Sequence, residues 1–177
     1  NIALIGCGGK AGGHISNVKK HTNIVALCDV DDRRAKDAFE AFPKAARFRD
    51  FRRMFDDPIA STIDAVMVTT PDHTHAPATL LALEAQKHVY TEKPLTHNIA
   101  EARQLLAAAK KAGVVTQMGN QGASMDCNAE VAEWIQSGAI GDVTRVHVWT
   151  NRPVWPQGLP TPAQETVPEG LDWNLWL

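Results

Sequence analysis

Ile2-Ala3-Leu4-Ile5-Gly6-Cys7-Gly8-Gly9-Lys10-Ala11-Gly12 is the stretch whose reading decides the fold. Four apolar residues in a row match a strand buried on both faces, and the glycines that follow match a tight turn into a helix. Gly6-x-Gly8-x-x-Ala11 fits the dinucleotide-binding pattern, which accepts Gly or Ala at its third position. Gly6 allows the sharp turn, Gly8 lets the backbone approach a pyrophosphate, and Ala11 is small enough for helix-on-strand packing. The pyrophosphate would sit on the helix N-terminus, among unpaired N–H groups and the positive end of the dipole. Glycine-rich turns also arise for structural reasons alone, so the motif needs its context.

Working outward, Ala11 to Lys20 reads as a helix and Asn23 to Asp29 as a second buried strand. Asp29 ends that strand 21 positions after Gly8, where the pattern wants an acid to hold the ribose 2′-hydroxyl. A carboxylate there repels a 2′-phosphate and favours NAD. Arg33 and Arg34 follow closely and are able to bind a phosphate, which leaves NADP open. The structural alternative for Asp29 is a cap for a helix over Asp32 to Phe42.

Arg47-Phe48 reads as a short strand, and Asp50 as the cap of a helix through Phe55. Asp64 to Thr70 is a strong strand, followed by Pro71-Asp72-His73-Thr74-His75-Ala76-Pro77. Pro77 places the next helix start. With Asp72 as cap, the proline would fall in the helix interior and clash; with Thr74 as cap, it falls where no intrahelical N–H is needed. The helix therefore runs from Thr74 to about Ala85. Thr70, Pro71, Asp72 and His73 are left in a loop at a strand's carboxyl end, where ligands of open α/β sheets bind. His73 and His75 with Asp72 can be read as metal ligands, but no further ligand group stands nearby, and a loop touching the cofactor is the favoured reading.

His88 to Thr91 reads as a fifth strand, with Glu92-Lys93-Pro94 at its carboxyl end. Asn98 and Glu101 form a capping box for a helix over Ile99 to Ala112, which Gly113 ends. Val114 to Gln117 is a sixth strand. Six strands alternating with helices imply a doubly wound parallel α/β sheet, the Rossmann architecture. A domain change falls near residue 121, giving a nucleotide-binding domain over 1–120 and the start of a second α/β domain with an open sheet over 121–177. There, Ala129 to Ser137 reads as a helix with Val131, Trp134 and Ile135 on one side. Val143 to Thr150 alternates apolar and polar residues, as a half-covered strand does.

The chain has 177 residues, net charge −2, 44% hydrophobic and 21% charged residues, which suits a globular protein with a core. No strong field argues for nucleic acid or an anionic membrane, and no apolar run approaches the ~18 residues of a membrane-spanning helix. Cys7, Cys28 and Cys127 read as reduced cysteines without a disulfide or metal role. Both ends look cut: the chain opens inside a strand and stops in an apolar stretch, so a fragment is expected, and the absence of a leader says nothing about location. Trp149, Trp155, Trp173 and Trp176 crowd the last 29 residues. They suit either stacking on a sugar or polyol or the filling of an interface.

Gly6-Cys7-Gly8-Gly9, Thr70-Pro71-Asp72-His73-Thr74-His75-Ala76 and His88-Val89-Tyr90-Thr91-Glu92-Lys93-Pro94-Leu95 stand in order at suitable spacing. With Gly119-Asn120-Gln121, Ser137-Gly138-Ala139-Ile140-Gly141 and Trp149 to Pro156, the chain resembles the glucose-fructose oxidoreductase / inositol dehydrogenase (Gfo/Idh/MocA) family. The resemblance implies an N-terminal domain that holds NAD or NADP and a second domain with an open, mostly antiparallel sheet. It implies hydride transfer between the nicotinamide and a carbon of a sugar, polyol or related compound. It places Lys93 at the active site as the catalytic residue, with Pro94 shaping the turn. The expected cofactor contacts are Gly6, Gly8, Gly9, Lys10, Ala11, Asp29, Arg33, Thr70, Pro71, His73, Glu92 and Pro94; no metal is expected. A lysine at that strand end suits holding a substrate hydroxyl and stabilising oxyanion charge. The family's further catalytic pair would lie beyond Leu177. The alternatives are a glycoside hydrolase that uses bound NAD and a non-catalytic dinucleotide-binding module. Expected partners are a sugar-like small molecule and further copies of the chain through the second domain's sheet, with neither nucleic acid nor membrane. The expected location is the cytoplasm, or the periplasm by twin-arginine export.

Overall fold

The computed structural model describes residues 1–151 and 158–177. The described residues form two compact units: Asn1–Gly119 with Val167–Leu177, and Asn120–Thr166. In the first unit, β1 (Ile2–Ile5), β2 (Ile24–Cys28), β3 (Ala46–Phe48), β4 (Ala65–Val68), β5 (His88–Glu92) and β6 (Thr116–Gly119) form one sheet. Its order is β3-β2-β1-β4-β5-β6 and every pairing is parallel. The expected doubly wound sheet is therefore present. The helices are α1 (Ala11–Val18), α2 (Asp32–Ala41), α3 (Phe51–Asp56), α4 (His75–Glu84) and α5 (Ile99–Ala112).

The apolar runs are continuous because most of the sheet is covered on both faces. β1 shows this residue by residue. Ala3 and Ile5 join one buried layer with Met54, Val66, Val68, Ala78 and Leu105. Leu4 points the other way, into a layer with Ala11, Ile15, Leu27, Ala35 and Met67. Local rules set the helix ends. Asn98 accepts from the Glu101 N–H at 3.0 Å, the Glu101 carboxylate accepts from the Asn98 N–H, and Gly113 at φ +65° closes α5. Pro77 is the third residue of α4, after Thr74 at the cap. A short 3₁₀ turn over Asp72–Thr74 precedes it.

Two sequence expectations shift, and the alternative reading of Asp29 as a cap falls away. Asp31, not Asp29, caps α2, accepting from the Arg33 and Arg34 N–H groups. β6 runs two residues later than expected, over Thr116–Gly119, because its ladder with β5 pairs Val89 with Thr116 and Glu92 with Gly119. Val143 to Thr150 forms no strand among the described residues, which corrects the half-covered strand expected there. Alternation alone does not make a strand; a ladder partner does. Val148 is 91% exposed and Trp149 85%. The second unit's ordered element is α6 (Asp126–Gln136), after a 3₁₀ turn at Gln121–Ser124. Trp155 and the stretch 152–157 lie outside the described residues. In the first unit, Val167–Leu177 ends in a short helix, α7 (Trp173–Trp176). No helix among the described residues is long and apolar enough to cross a membrane.

Leu4 has no exposed surface at the centre of the sheet. Leu4→Ala is expected to lower stability by about 3 kcal/mol in urea denaturation, the usual cost of a core cavity. A change under about 1 kcal/mol would contradict this packing.

Candidate functional site

The site is built at the carboxyl ends of β1, β2 and β4. Gly6 follows β1 at φ +85°, a conformation that side chains resist. A Cβ there would lie 2.8 Å from the carbonyl of Thr69 and the amide nitrogen of Thr70. The turn after β1 is thus seated directly on the turn after β4. At Gly8 a Cβ would lie 2.8 Å from Cβ and the carbonyl oxygen of Arg34 in α2. Close packing inside the protein already demands glycine there, whatever lies outside.

Asp29 ties this turn to β2. Its Oδ2 accepts from the Cys7 N–H at 2.7 Å and its Oδ1 from the Asp31 N–H at 2.9 Å. Each carboxylate oxygen keeps a further lone pair for a ligand hydroxyl. Asp31 is buried and holds Arg33 in a two-point pair, at 3.1 Å to Nε and 2.8 Å to Nη2. The Arg33 hydrogen bond, aided by the backbone N–H groups of Arg33 and Arg34, holds the Asp31 carboxyl below the usual range against the effect of burial. The Cys7 thiol is pushed up by burial and by the Asp29 charge, which keeps it protonated and unreactive.

These groups border a cleft of about 540 Å³. Of the expected residues, Gly6, Gly8, Gly9, Lys10, Asp29, Arg33, Thr70 and Pro71 line it. The Thr70 hydroxyl oxygen is buried and has no hydrogen-bond partner among the described residues. Such an atom is costly unless a ligand answers it. Ala11, His73, Glu92, Lys93 and Pro94 are not in the lining. Ala11 is fully buried and packs α1 into the Leu4 layer.

The sequence reading missed the far wall. Pro168, Leu171, Trp173, Leu175 and Trp176 also line the cleft. Their segment is pinned across the end of β2: the Asp172 N–H donates to the Val30 carbonyl at 2.8 Å, and Leu171 bridges antiparallel to Asp31. Trp173 and Trp176 stack at 5.1 Å, and the His73 ring meets Trp176 edge-on at 4.8 Å. His73 Nε2 also bonds the Trp176 carbonyl oxygen, so His73 holds the strap. The crowding of tryptophans near the chain end was the available signal, but nothing local says which surface they fold back to.

At the end of β5, Glu92 is buried and its carboxylate faces three donors. His14 Nε2 donates at 2.6 Å, the Tyr90 hydroxyl at 3.1 Å and the Lys93 N–H at 3.2 Å. Burial alone would raise the Glu92 carboxyl; the hydrogen bonds from His14, Lys93 and Tyr90 outweigh it and leave it below the usual range. Burial and the Glu92 charge push the Tyr90 hydroxyl up to about 12. Glu92 thus spends its side chain on α1 and β5, while Lys93, the next residue, is exposed at the same sheet edge. His14 was not anticipated; it lies one turn into α1, on the helix that the glycine motif starts.

The model of the Gfo/Idh/MocA family, described as an oxidoreductase family with an NAD-binding Rossmann fold, matches residues 1–120. An inositol 2-dehydrogenase of Rubrobacter xylanophilus is 32% identical over 152 residues, which are 84% of this chain and 43% of that protein. A probable dehydrogenase of Thermotoga maritima has a solved structure that superposes with a TM-score of 0.68 at 28% identity, covering 79% of this chain and 42% of that one. GenD2 from gentamicin A biosynthesis, solved with NAD, superposes at 0.69 and 27% identity, covering 78% and 39%. The chain spans between a third and a half of the length of the curated relatives it first matches. The family model spans the whole sheet with its glycine turn, Asp29 and Lys93, and the chain belongs to the Gfo/Idh/MocA oxidoreductase family.

Proposed function

We propose that the protein is an NAD-dependent oxidoreductase that moves a hydride between the nicotinamide and a carbinol carbon of a sugar or polyol. The observation that carries this reading is one cleft that joins the glycine turn, Asp29 and the unanswered Thr70 hydroxyl. The residues present suit a dinucleotide. No side chain caps the start of α1, where the Ala11 and Gly12 N–H groups turn back to the Gly8 and Gly9 carbonyls, so a pyrophosphate would be met by the amides of the turn itself, from Gly8 to Lys10. Asp29 retains lone pairs for ribose hydroxyls and its charge disfavours a 2′-phosphate. Of the two arginines able to reverse that preference, Arg33 is already engaged by Asp31, while Arg34 also lines the cleft beside Gly9.

The bound nicotinamide would supply the hydride chemistry; the chain supplies binding and proton handling. The exposed Lys93 ammonium would donate a hydrogen bond to the substrate oxygen and stabilise the negative charge that develops there, while the hydroxyl proton passes to a base other than this ammonium. Glu92, held by His14 and Tyr90, would support that strand end through the Lys93 N–H. The substrate class follows the relatives, among them inositol 2-dehydrogenases and a D-apiose dehydrogenase. The expected cofactor roles of His73, Glu92 and Pro94 are not part of this proposal, since none of them lines the cleft.

Calorimetry on the whole protein is expected to show NADH binding at least tenfold tighter than NADPH, with Asp29→Asn weakening NADH by about tenfold, the worth of one charged hydrogen bond. No binding of either nucleotide by folded protein would refute the reading. With NAD and a panel of inositols and aldoses, Lys93→Ala is expected to abolish NADH formation while NADH affinity stays within about threefold. Undiminished turnover in that variant would remove Lys93 from the chemistry.

A further inference from the structure

His75 opens α4 and is 1% exposed. Its Nδ1 lies 2.6 Å from the Pro94 carbonyl oxygen and its Nε2 lies 2.8 Å from the Thr70 carbonyl oxygen. Carbonyl oxygens only accept, and a neutral imidazole carries a single N–H. Which nitrogen donates depends on the tautomer, but each nitrogen is met by a main-chain carbonyl, so neither is left for a ligand.

The two carbonyls stand at a gap in the sheet. The β4–β5 ladder ends at the pair Val68 and Thr91. Thr70 lies two residues past the end of β4, and Pro94 two residues past the end of β5. Beyond the last ladder pair, the imidazole spans between these diverging segments. On one side stands Thr70, which lines the cleft and whose buried hydroxyl has no partner among the described residues. On the other, Pro94 is bonded directly to Lys93.

We infer that His75 is a positioning residue: a strut whose two ring nitrogens, each against one carbonyl, fix the Thr70 wall of the cleft and the Lys93–Pro94 turn relative to each other. Its consequence for nucleotide binding rests on the function proposed above; the strut itself does not. A histidine that merely fills the core would place no requirement on either nitrogen separately.

Two substitutions in the whole protein separate the arms. His75→Gln can keep a donor near the position of Nε2, and His75→Asn one near that of Nδ1. For His75→Gln, calorimetry is expected to give NADH affinity within about twofold of the parent, while amide exchange across 93–97 speeds by tenfold or more. For His75→Asn, exchange across 93–97 is expected to stay at the parent rate, while NADH affinity falls by about tenfold. Equal effects of the two variants on both readouts, or no effect of either, would overturn the strut. If the parent protein binds no NADH, the dinucleotide reading fails by itself and the exchange arm still decides the strut. Should a variant not fold, nitrogen NMR of the parent at neutral pH decides instead. A His75 ring N–H that exchanges slowly with water is expected, and one that exchanges as fast as an exposed histidine's would contradict the proposal.

Discussion

Everything at the carboxyl edge of the sheet depends on the Asp29 carboxylate. Its two oxygens accept main-chain N–H groups from Cys7 and Asp31, so one side chain joins the turn after β1 to the turn after β2. Gly6 seats the same turn on Thr69 and Thr70 without room for a side chain. Three loops are locked together by contacts that need no ligand. The cleft they enclose is formed in advance, which lowers the ordering cost of binding. Charged hydrogen bonds to main-chain N–H groups suit this task because they are short and strong.

The buried sheet explains why these loops are free to serve a ligand. Parallel strands covered on both faces take up their own backbone groups in ladders and their side chains in two apolar layers. Polar groups then collect where the ladders stop. Glu92 meets His14 and Tyr90 at the end of β5, and His75 meets Thr70 and Pro94 past the ends of β4 and β5. The same edge takes the returning segment with Trp173 and Trp176, which makes the cleft a trough walled on its far side rather than an open shelf.

Most of the fold was legible in the sequence because its signals are local. The runs Ile2-Ala3-Leu4-Ile5 and Asp64 to Thr70, the capping box at Asn98 and Glu101, and the position of Pro77 each report on their own neighbourhood. The cleft was legible as far as it follows from the glycine turn and the strand ends, from Gly6 to Pro71. What was not legible involves partners distant in the chain. The alternation of Val143 to Thr150 resembles a strand, but strands are made by neighbours that a pattern does not reveal. The strap from Val167 to Leu177 lies more than 130 residues from Val30 and Asp31, which it touches. His73 was expected near the cofactor from its loop position and the family likeness; its ring meets Trp176, a residue 103 positions away, a contact no local pattern reports. Glu92 was expected among the cofactor contacts; its carboxylate is buried beside α1, where His14 and Tyr90 meet it.

The central claim is that this cleft holds NAD by its glycine turn and Asp29. A crystal structure of the whole protein grown with NAD tests it most directly. The account predicts the pyrophosphate on the amides from Gly8 to Lys10, the adenosine ribose hydroxyls on Asp29, and the Thr70 hydroxyl hydrogen-bonded to the dinucleotide. A dinucleotide bound away from Gly8, or a ribose that leaves Asp29 untouched, would contradict it.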